Sequence, residues 1–345
     1  MSESDKGPYI HMTRYAQIIG VGSWLPERVL TNADLEGMVD TTDEWITTRT
    51  GIRERRIVAD GESTSDLGAK AAAIALKRAG VSPGEVDLLI VGTTSPDYIL
   101  PSTACMTQAK LGLKCPAYDM MAACTSFIYG LQAGAAAIES GRAETVVVVG
   151  AEALTRLIDF TDRSTCVLFG DGAGAVVLRA GTEPGVESVV LGADGTRADN
   201  LIAPAGGAAH PITHEDIDAH DQFVKMNGNE VYKFAVRVIP KATRQALERS
   251  EHSLDDVRWL IPHQANKRII DTVEERLGVD DERVYCNIAP TGNTSAASIP
   301  LALDDLYTSG RISPGDLSVL VGFGAGLTWG AAVVRWTMPL TGGKD

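Results

Sequence analysis

Short apolar runs alternate along the chain with longer segments in which apolar positions recur every three or four residues. The runs VDLLIVGTT, TVVVVGAE, AGAVVLRA, VRWLIPH, LSVLVGFG and AAVVRW are rich in β-branched residues and closed by glycine or polar residues. They predict strands, and their alternation with helix-like segments predicts a layered α/β protein.

The pattern occurs twice. AIALKRAGVSPGEVDLLIVG, from Ala73, aligns with RQALERSEHSLDDVRWLIPH, from Arg244, at an offset of 171, and CTSFIYGLQAGAAAIESGR, from Cys124, aligns with NTSAASIPLALDDLYTSGR, from Asn293, at an offset of 169. Two related halves follow, residues 13–183 and 184–345, arranged about a pseudo-twofold axis. Residues 1–12 are polar and patternless, and read as a flexible extension or an expression remnant. The second alignment sets Cys124 and Asn293 at one position, each followed by Thr-Ser and a helix. His263 falls where the first half has Gly92, at the carboxyl end of a strand, where ligands of α/β sheets gather. The three residues are therefore expected to be neighbours.

Charge narrows the partners. The formal net charge of −14 argues against nucleic acid, whose phosphates need basic residues. Between Lys225 and Arg268, however, nine Lys or Arg face five acids, so this stretch carries +4 and the remainder −18. Such an island is either an anion-binding face or an ordinary solvated helix surface. Lys233, Arg237, Lys241 and Arg244 recur at helical spacing, although Pro240 predicts a kink or break among them. Five cysteines, odd in number and without a CxxC pair, point to a reducing, cytoplasmic setting. No apolar run approaches the roughly 20 residues of a membrane span, so no membrane partner is expected.

Candidate chemistry centres on Cys124, in MAACTSFIYG. It is either a packed cysteine or a nucleophile whose thiolate a helix N-terminus favours. Cys105, Cys115, Cys166 (in the strand-like STCVLFG) and Cys286 read as packing residues. His263, in WLIPHQAN, suits acid/base or hydrogen-bond work. Asn293, in PTGNTSAAS, is a neutral donor for an oxygen that becomes negative, or a helix cap, and the two roles are compatible. GFGAGLTWG runs from one strand into another, so it reads as a tight turn and not a dinucleotide loop. AHPITHEDIDAH offers His210, His214, His220 and Asp216 as zinc ligands, but Pro211 and the surrounding glycines favour a mobile surface insertion.

DMMAACTSFIYG, LIPHQANKRI, PTGNTSAAS, VDTTDEWITTRTGIRERR, TDRSTCVLFGDGAGAVVL and GFGAGLTWG together resemble the β-ketoacyl-acyl carrier protein synthase III family, from about residue 14 to 336. The resemblance implies a thiolase-like, duplicated five-layer α/β/α/β/α fold, a homodimer, and no metal or redox cofactor. It implies initiation of fatty acid synthesis by decarboxylative condensation of an acyl-CoA primer with malonyl-acyl carrier protein through an acyl-cysteine. Cys124, His263 and Asn293 would be catalytic, with the backbone N–H groups of Cys124 and Ala325 as oxyanion hole. Thr41, Trp45, Arg49, Arg163, Asn229 and Asn266 match CoA-binding positions, and Lys233, Arg237, Lys267 and Arg268 match the docking face for acyl carrier protein. Ala325 replaces a glycine seen in many members. Leu100 stands where several relatives place an aromatic that crosses the dimer to limit acyl length, which implies a primer longer or more branched than acetyl. A priming synthase of polyketide metabolism is the alternative function.

Overall fold

The computed structural model describes residues 14–339; the segment 1–12 lies outside them. One sheet contains β1 (Tyr15–Trp24), β2 (Leu88–Gly92), β3 (Ala117–Met120), β4 (Thr145–Glu152) and β5 (Gly172–Gly181), in the order β1-β5-β4-β2-β3. β2 is parallel to β3 and β4, and β5 is antiparallel to β4 and β1. The other contains β6 (Val186–Ala193), β7 (Trp259–Pro262), β8 (Leu317–Gly324) and β9 (Thr328–Arg335), in the order β6-β9-β8-β7. Here β7 is parallel to β8, and β9 is antiparallel to β8 and β6. A lone parallel bridge from Leu260 to Val284 stands where β3 stands in the first sheet. The two sheets thus share one strand order.

Every residue of β4 and of β8 is buried, so each sheet needs cover on both faces. Helices α1 (Thr64–Ala79) and α2 (Thr103–Leu111) cover the outer face of the first sheet. Between the sheets lie α3 (Ser126–Glu139) and α6 (Ser298–Thr308). The outer face of the second sheet is covered by α4 (Gly228–Arg249) and α5 (Lys267–Leu277). The result is a five-layer α/β/α/β/α thiolase fold. A fourth apolar cluster, with Leu35, Ile46, Ile52, Ile158, Phe169 and Ile288, caps one end. It is fastened by the wholly buried Arg55, which donates to Leu30 O, Asn32 Oδ1 and Val167 O.

Some local expectations need correction. α4 runs unbroken through Pro240. The proline removes the N–H that would bond the carbonyl four residues back, and Arg276 Nη1 donates to that Val236 carbonyl at 2.9 Å instead. Cys166 ends a short helix, Arg163–Cys166, and is not in a strand. Cys105 lies exposed on α2, so it is not a packing residue. The segment read as an insertion loop contains the helix His214–Asp218, which opens with a capping box between Thr213 and Asp216.

The repeat also needs a different register at its chemical end. Ala123 and Ser295 share the left-handed conformation, with φ of 49° and 48°, and each opens a single 3-10 turn, Ala123–Thr125 or Ser295–Ala297, that leads into α3 or α6. Cys124 is therefore matched by Ala296, not by Asn293, which lies just ahead of its own turn. The turns meet across the pseudo-axis, each against the other half's central strand. Glycine makes that approach possible: a Cβ on Gly150 would lie 2.2 Å from Ala296 O, and one on Gly324 would lie 2.7 Å from Cys124 N.

Candidate active site

Cys124 sits on a backbone that its neighbours fasten. A non-glycine residue in the left-handed region costs roughly 1–2 kcal/mol, so the Ala123 turn persists only where something holds it. Ser126 Oγ accepts from Ala122 N–H at 2.8 Å and donates to Ala123 O at 2.7 Å. Thr125 and Thr328 hydroxyls both donate to Ala122 O, at 2.6 and 3.0 Å.

The thiol is dry. Burial pushes Cys124 up to about 12, the nearby Glu152 carboxyl adds to that, and a hydrogen bond from Ser295 opposes it. The expected acidification by the helix start is thus outweighed in the resting site, and Cys124 rests as a thiol.

His263 closes β7 with its own N–H on Val321 O at 2.7 Å. Its Nδ1 shares a hydrogen bond with Ser298 Oγ at 2.7 Å, which leaves Nε2 for a ligand. Burial lowers its pKa to about 3, so the ring is neutral near neutral pH. Asn293 Oδ1 accepts from Ser295 N–H at 2.9 Å. That bond combines the turn-capping role with an oriented amide, whose donor Nδ2 remains for a ligand.

Two cavities meet at Cys124. An apolar one of about 200 Å³ has Cys124, Ser295 and Ala325 in its wall with Leu154, Phe169 and Ile202. A more polar one of about 370 Å³ is lined by Cys124, His263 and Asn293 together with Asn229, Asn266 and Arg268. The residues that the sequence places together are therefore together, with the thiol at the junction.

The remaining candidates lie outside these walls. Arg163 lies over the Trp45 ring at 4.9 Å and Arg49 lies over it at 5.5 Å, while Thr41 Oγ1 is buried without a hydrogen-bond partner among the described residues. Lys233 and Arg237 are exposed on α4, Lys233 paired to Glu230, and Lys267 pairs with Asp271 on α5. Leu100 is 84% exposed and lines neither cavity. His210 pairs with Asp216 and His220 with Asp159. Among the described residues no group of three His, Cys, Asp or Glu is arranged to hold a metal.

Sequence reasoning missed Ser298, Ser295 and Glu152. The last is wholly buried at the end of β4, and the signal was an acid closing an otherwise apolar strand in TVVVVGAE.

Cys124 thus lies buried on a left-handed turn, at the junction of two cavities between two sheets of one strand order. Family models described as 3-oxoacyl-[acyl-carrier-protein] synthase III and its C-terminal part match residues 118–195 and 247–336. The beta-ketoacyl-[acyl-carrier-protein] synthase III of Caldanaerobacter subterraneus is 49% identical, over 93% of this chain and 98% of that one. The synthase III structure from Thermus thermophilus superposes with a TM-score of 0.86 at 49% identity, covering 93% of this chain and 99% of its own. The priming β-ketosynthase of the R1128 polyketide pathway superposes with a TM-score of 0.88 at 37% identity, covering 95% and 98%. The chain belongs to the 3-oxoacyl-[acyl-carrier-protein] synthase III family and is an acyltransferase-type condensing enzyme.

Proposed function

We propose that Cys124 accepts the acyl group of an acyl-CoA primer and that His263 and Asn293 bind the thioester of malonyl-acyl carrier protein for the condensation that starts fatty acid synthesis. The observation that carries this reading is the position of Cys124 between an apolar cavity and one lined by His263 and Asn293. An acyl chain fits the first and a thioester arm the second. Identity of 49% to a beta-ketoacyl-[acyl-carrier-protein] synthase III, against 37% to the polyketide priming ketosynthase, supports this role over the polyketide one.

The thiolate of Cys124 adds to the acyl-CoA carbonyl, the backbone N–H groups of Cys124 and Ala325 hold the oxygen, and CoA leaves. Malonyl thioester then loses CO2, and the enolate oxygen that forms is held by Nε2–H of His263 and Nδ2–H of Asn293. Its carbon attacks the acyl-cysteine, releasing a 3-oxoacyl thioester and the Cys124 thiolate, which takes a proton from solvent to restore the thiol. Two neutral donors suit this step, because they stabilise a developing charge without a proton to lose. Mass spectrometry of the Cys124 peptide after incubation with acyl-CoA tests the first half.

CoA enters along Asn229 and Asn266, with its adenine inserting between Trp45 and Arg163, near Thr41 and Arg49. The carrier docks on Lys233, Arg237, Lys267 and Arg268. Because Arg268 also lines the polar cavity, its two roles need separating. Arg268→Glu is expected to raise the KM for malonyl-carrier about tenfold and to flatten its salt dependence, with a much smaller effect on acylation by acyl-CoA. Equal losses in both half-reactions would assign Arg268 to the channel alone.

A homodimer is supported by the exposed apolar run Tyr98, Ile99 and Leu100, in which Ile99 is 91% exposed, and by the likewise exposed Met121. Patches of this kind mark interfaces, and Met121 also lines the apolar cavity, so Leu100 of a second copy would reach the acyl site. Sedimentation is expected to give twice the chain mass, and Ile99→Asp with Leu100→Asp should yield monomer. A monomeric wild type would remove this part of the reading. No helix among the described residues is long and apolar enough to cross a membrane, and all five cysteines are free, which supports a reducing cytoplasmic setting.

A further inference from the structure

We infer that Ser298 fixes the tautomer of His263: its hydroxyl donates to Nδ1, so the single ring proton is held on Nε2, where it faces the polar cavity as a donor. This role rests on the reading of His263 as a donor to the malonyl thioester oxygen, and it makes Ser298 a positioning residue for that donor.

A neutral imidazole carries its proton on one nitrogen, and the hydrogen bond made by the other nitrogen decides which. His263 is 2% exposed, and burial keeps the ring neutral. Among the described residues its ring hydrogen-bonds to Ser298 Oγ, 2.7 Å from Nδ1, and to no carboxylate. The histidines that do pair with acids are His210, His220 and His252. The direction of the Ser298 bond therefore sets the tautomer.

The needs of the serine settle that direction. Ser298 is as buried as the histidine, at 2%, and Gln264 N–H already donates to its oxygen at 3.5 Å. Apart from Nδ1, no acceptor for the Ser298 hydroxyl lies within hydrogen-bond distance among the described residues. Were Nδ1 protonated, Oγ would accept from two N–H groups while its own hydrogen lay buried without an acceptor, a state that folded proteins avoid. With Nδ1 bare, each donor has a partner.

The duplication supplies a second, independent sign. Because left-handed Ala123 matches left-handed Ser295, Ser126 is the twin of Ser298. Ser126 uses its hydroxyl on its own turn, accepting from Ala122 N–H at 2.8 Å and donating to Ala123 O at 2.7 Å. Ser298 makes neither bond to the turn before it, and its hydroxyl reaches across to β7 instead. One serine of the pair holds a turn, and the other holds a ring.

The ring is kept in place for this bond. Gln264, wholly buried, donates to Pro262 O at 2.7 Å and Tyr285 O at 3.1 Å and accepts from Asn287 N–H at 3.0 Å, which fixes the backbone just past His263. Phe323 packs against the imidazole with ring centroids 5.7 Å apart.

The experiment reads the proton itself. Nitrogen-15 NMR of the full-length protein labelled at its histidine rings, with the His263 signals assigned by their loss in His263→Asn, separates bare from protonated nitrogens. From about pH 6 to about pH 8 the expected result is a bare Nδ1 and a protonated Nε2. The reverse pattern overturns the inference whatever the activity. In Ser298→Ala the two signals are expected to move toward each other as both tautomers become populated. Condensation should fall about tenfold relative to acylation of Cys124 in the same protein, the low end of what removing the partner behind an oriented histidine costs. The loss should appear in kcat and not in the KM for malonyl-carrier, and Ser298→Thr, which keeps the hydroxyl, should recover most of it. A serine that merely packs would leave the ring signals where they are, so unmoved signals or an unchanged ratio of the two half-reactions in Ser298→Ala overturns the inference. Should that variant fail to fold, the wild-type spectrum decides. Failure of the wild type to condense malonyl-carrier would instead refute the proposed function, and the tautomer would still be read from the resting protein.

Discussion

Cys124→Ala is expected to give no acyl-enzyme with any acyl-CoA and to lower condensation by on the order of 10⁵-fold, the scale on which other covalent enzymes lose rate with their nucleophile. The size follows from the site's construction. Cys124 is the group that both cavities share, so its loss cannot be covered by the other cysteines. Cys115 and Cys166 are buried elsewhere, Cys105 is exposed on α2, and Cys286 lies in neither wall. The fold should tolerate the change, since its matched position in the second half is already alanine, Ala296. The measurement is the mass of the Cys124-bearing peptide after exposure to acyl-CoA, with product formation in parallel. Acylation persisting in the variant would remove Cys124 from the mechanism and leave the cavity junction without an explanation.

Much of this was legible in the chain because the strongest local signals are also the ones the fold uses. Wholly apolar runs such as TVVVVGAE and LSVLVGFG became the central strands β4 and β8, since nothing but a doubly covered strand accommodates them. Cys124, His263 and Asn293 stood out as polar or reactive residues at strand and helix ends, and the cavity gathers all three. What the chain hid depends on partners far along it. Continuity through Pro240 is supplied by Arg276 on another helix. The repeat aligned on Thr-Ser, which follows both Cys124 and Asn293, whereas the true match is set by left-handed Ala123 and Ser295. Neither is glycine, so composition gave no sign of a turn there. Glu152 showed in the chain only as an acid closing an apolar strand, because the donors around it come from the loop after β2 and from the turn before α6.

His263→Ala and Asn293→Ala are each expected to leave acylation of Cys124 within a few-fold of wild type while lowering condensation by about 10²–10³-fold, as the loss of one preorganised oxyanion donor does elsewhere. The split arises because the two side chains line only the polar cavity, whereas the other cavity is the one proposed for the acyl group. Asn293→Asp is the sharper variant. It keeps the acceptor for Ser295 N–H, and so the turn, but replaces the donor by a carboxylate facing the enolate; it should be at least as slow as the alanine form. The pH dependence gives a second reading. His263 is buried neutral with a pKa near 3, so its protonation contributes no limb to condensation between about pH 5 and about pH 8. It does contribute to stability: an unfolded histidine binds a proton below about 6.5 that the folded one refuses, so stability falls as pH drops from there toward 3. His263→Asn retains a neutral donor and removes that titration. It should recover part of the condensation rate and lessen the acid sensitivity of thermal unfolding, whereas a bell-shaped condensation profile lost in this variant would show that His263 works as an acid or base instead.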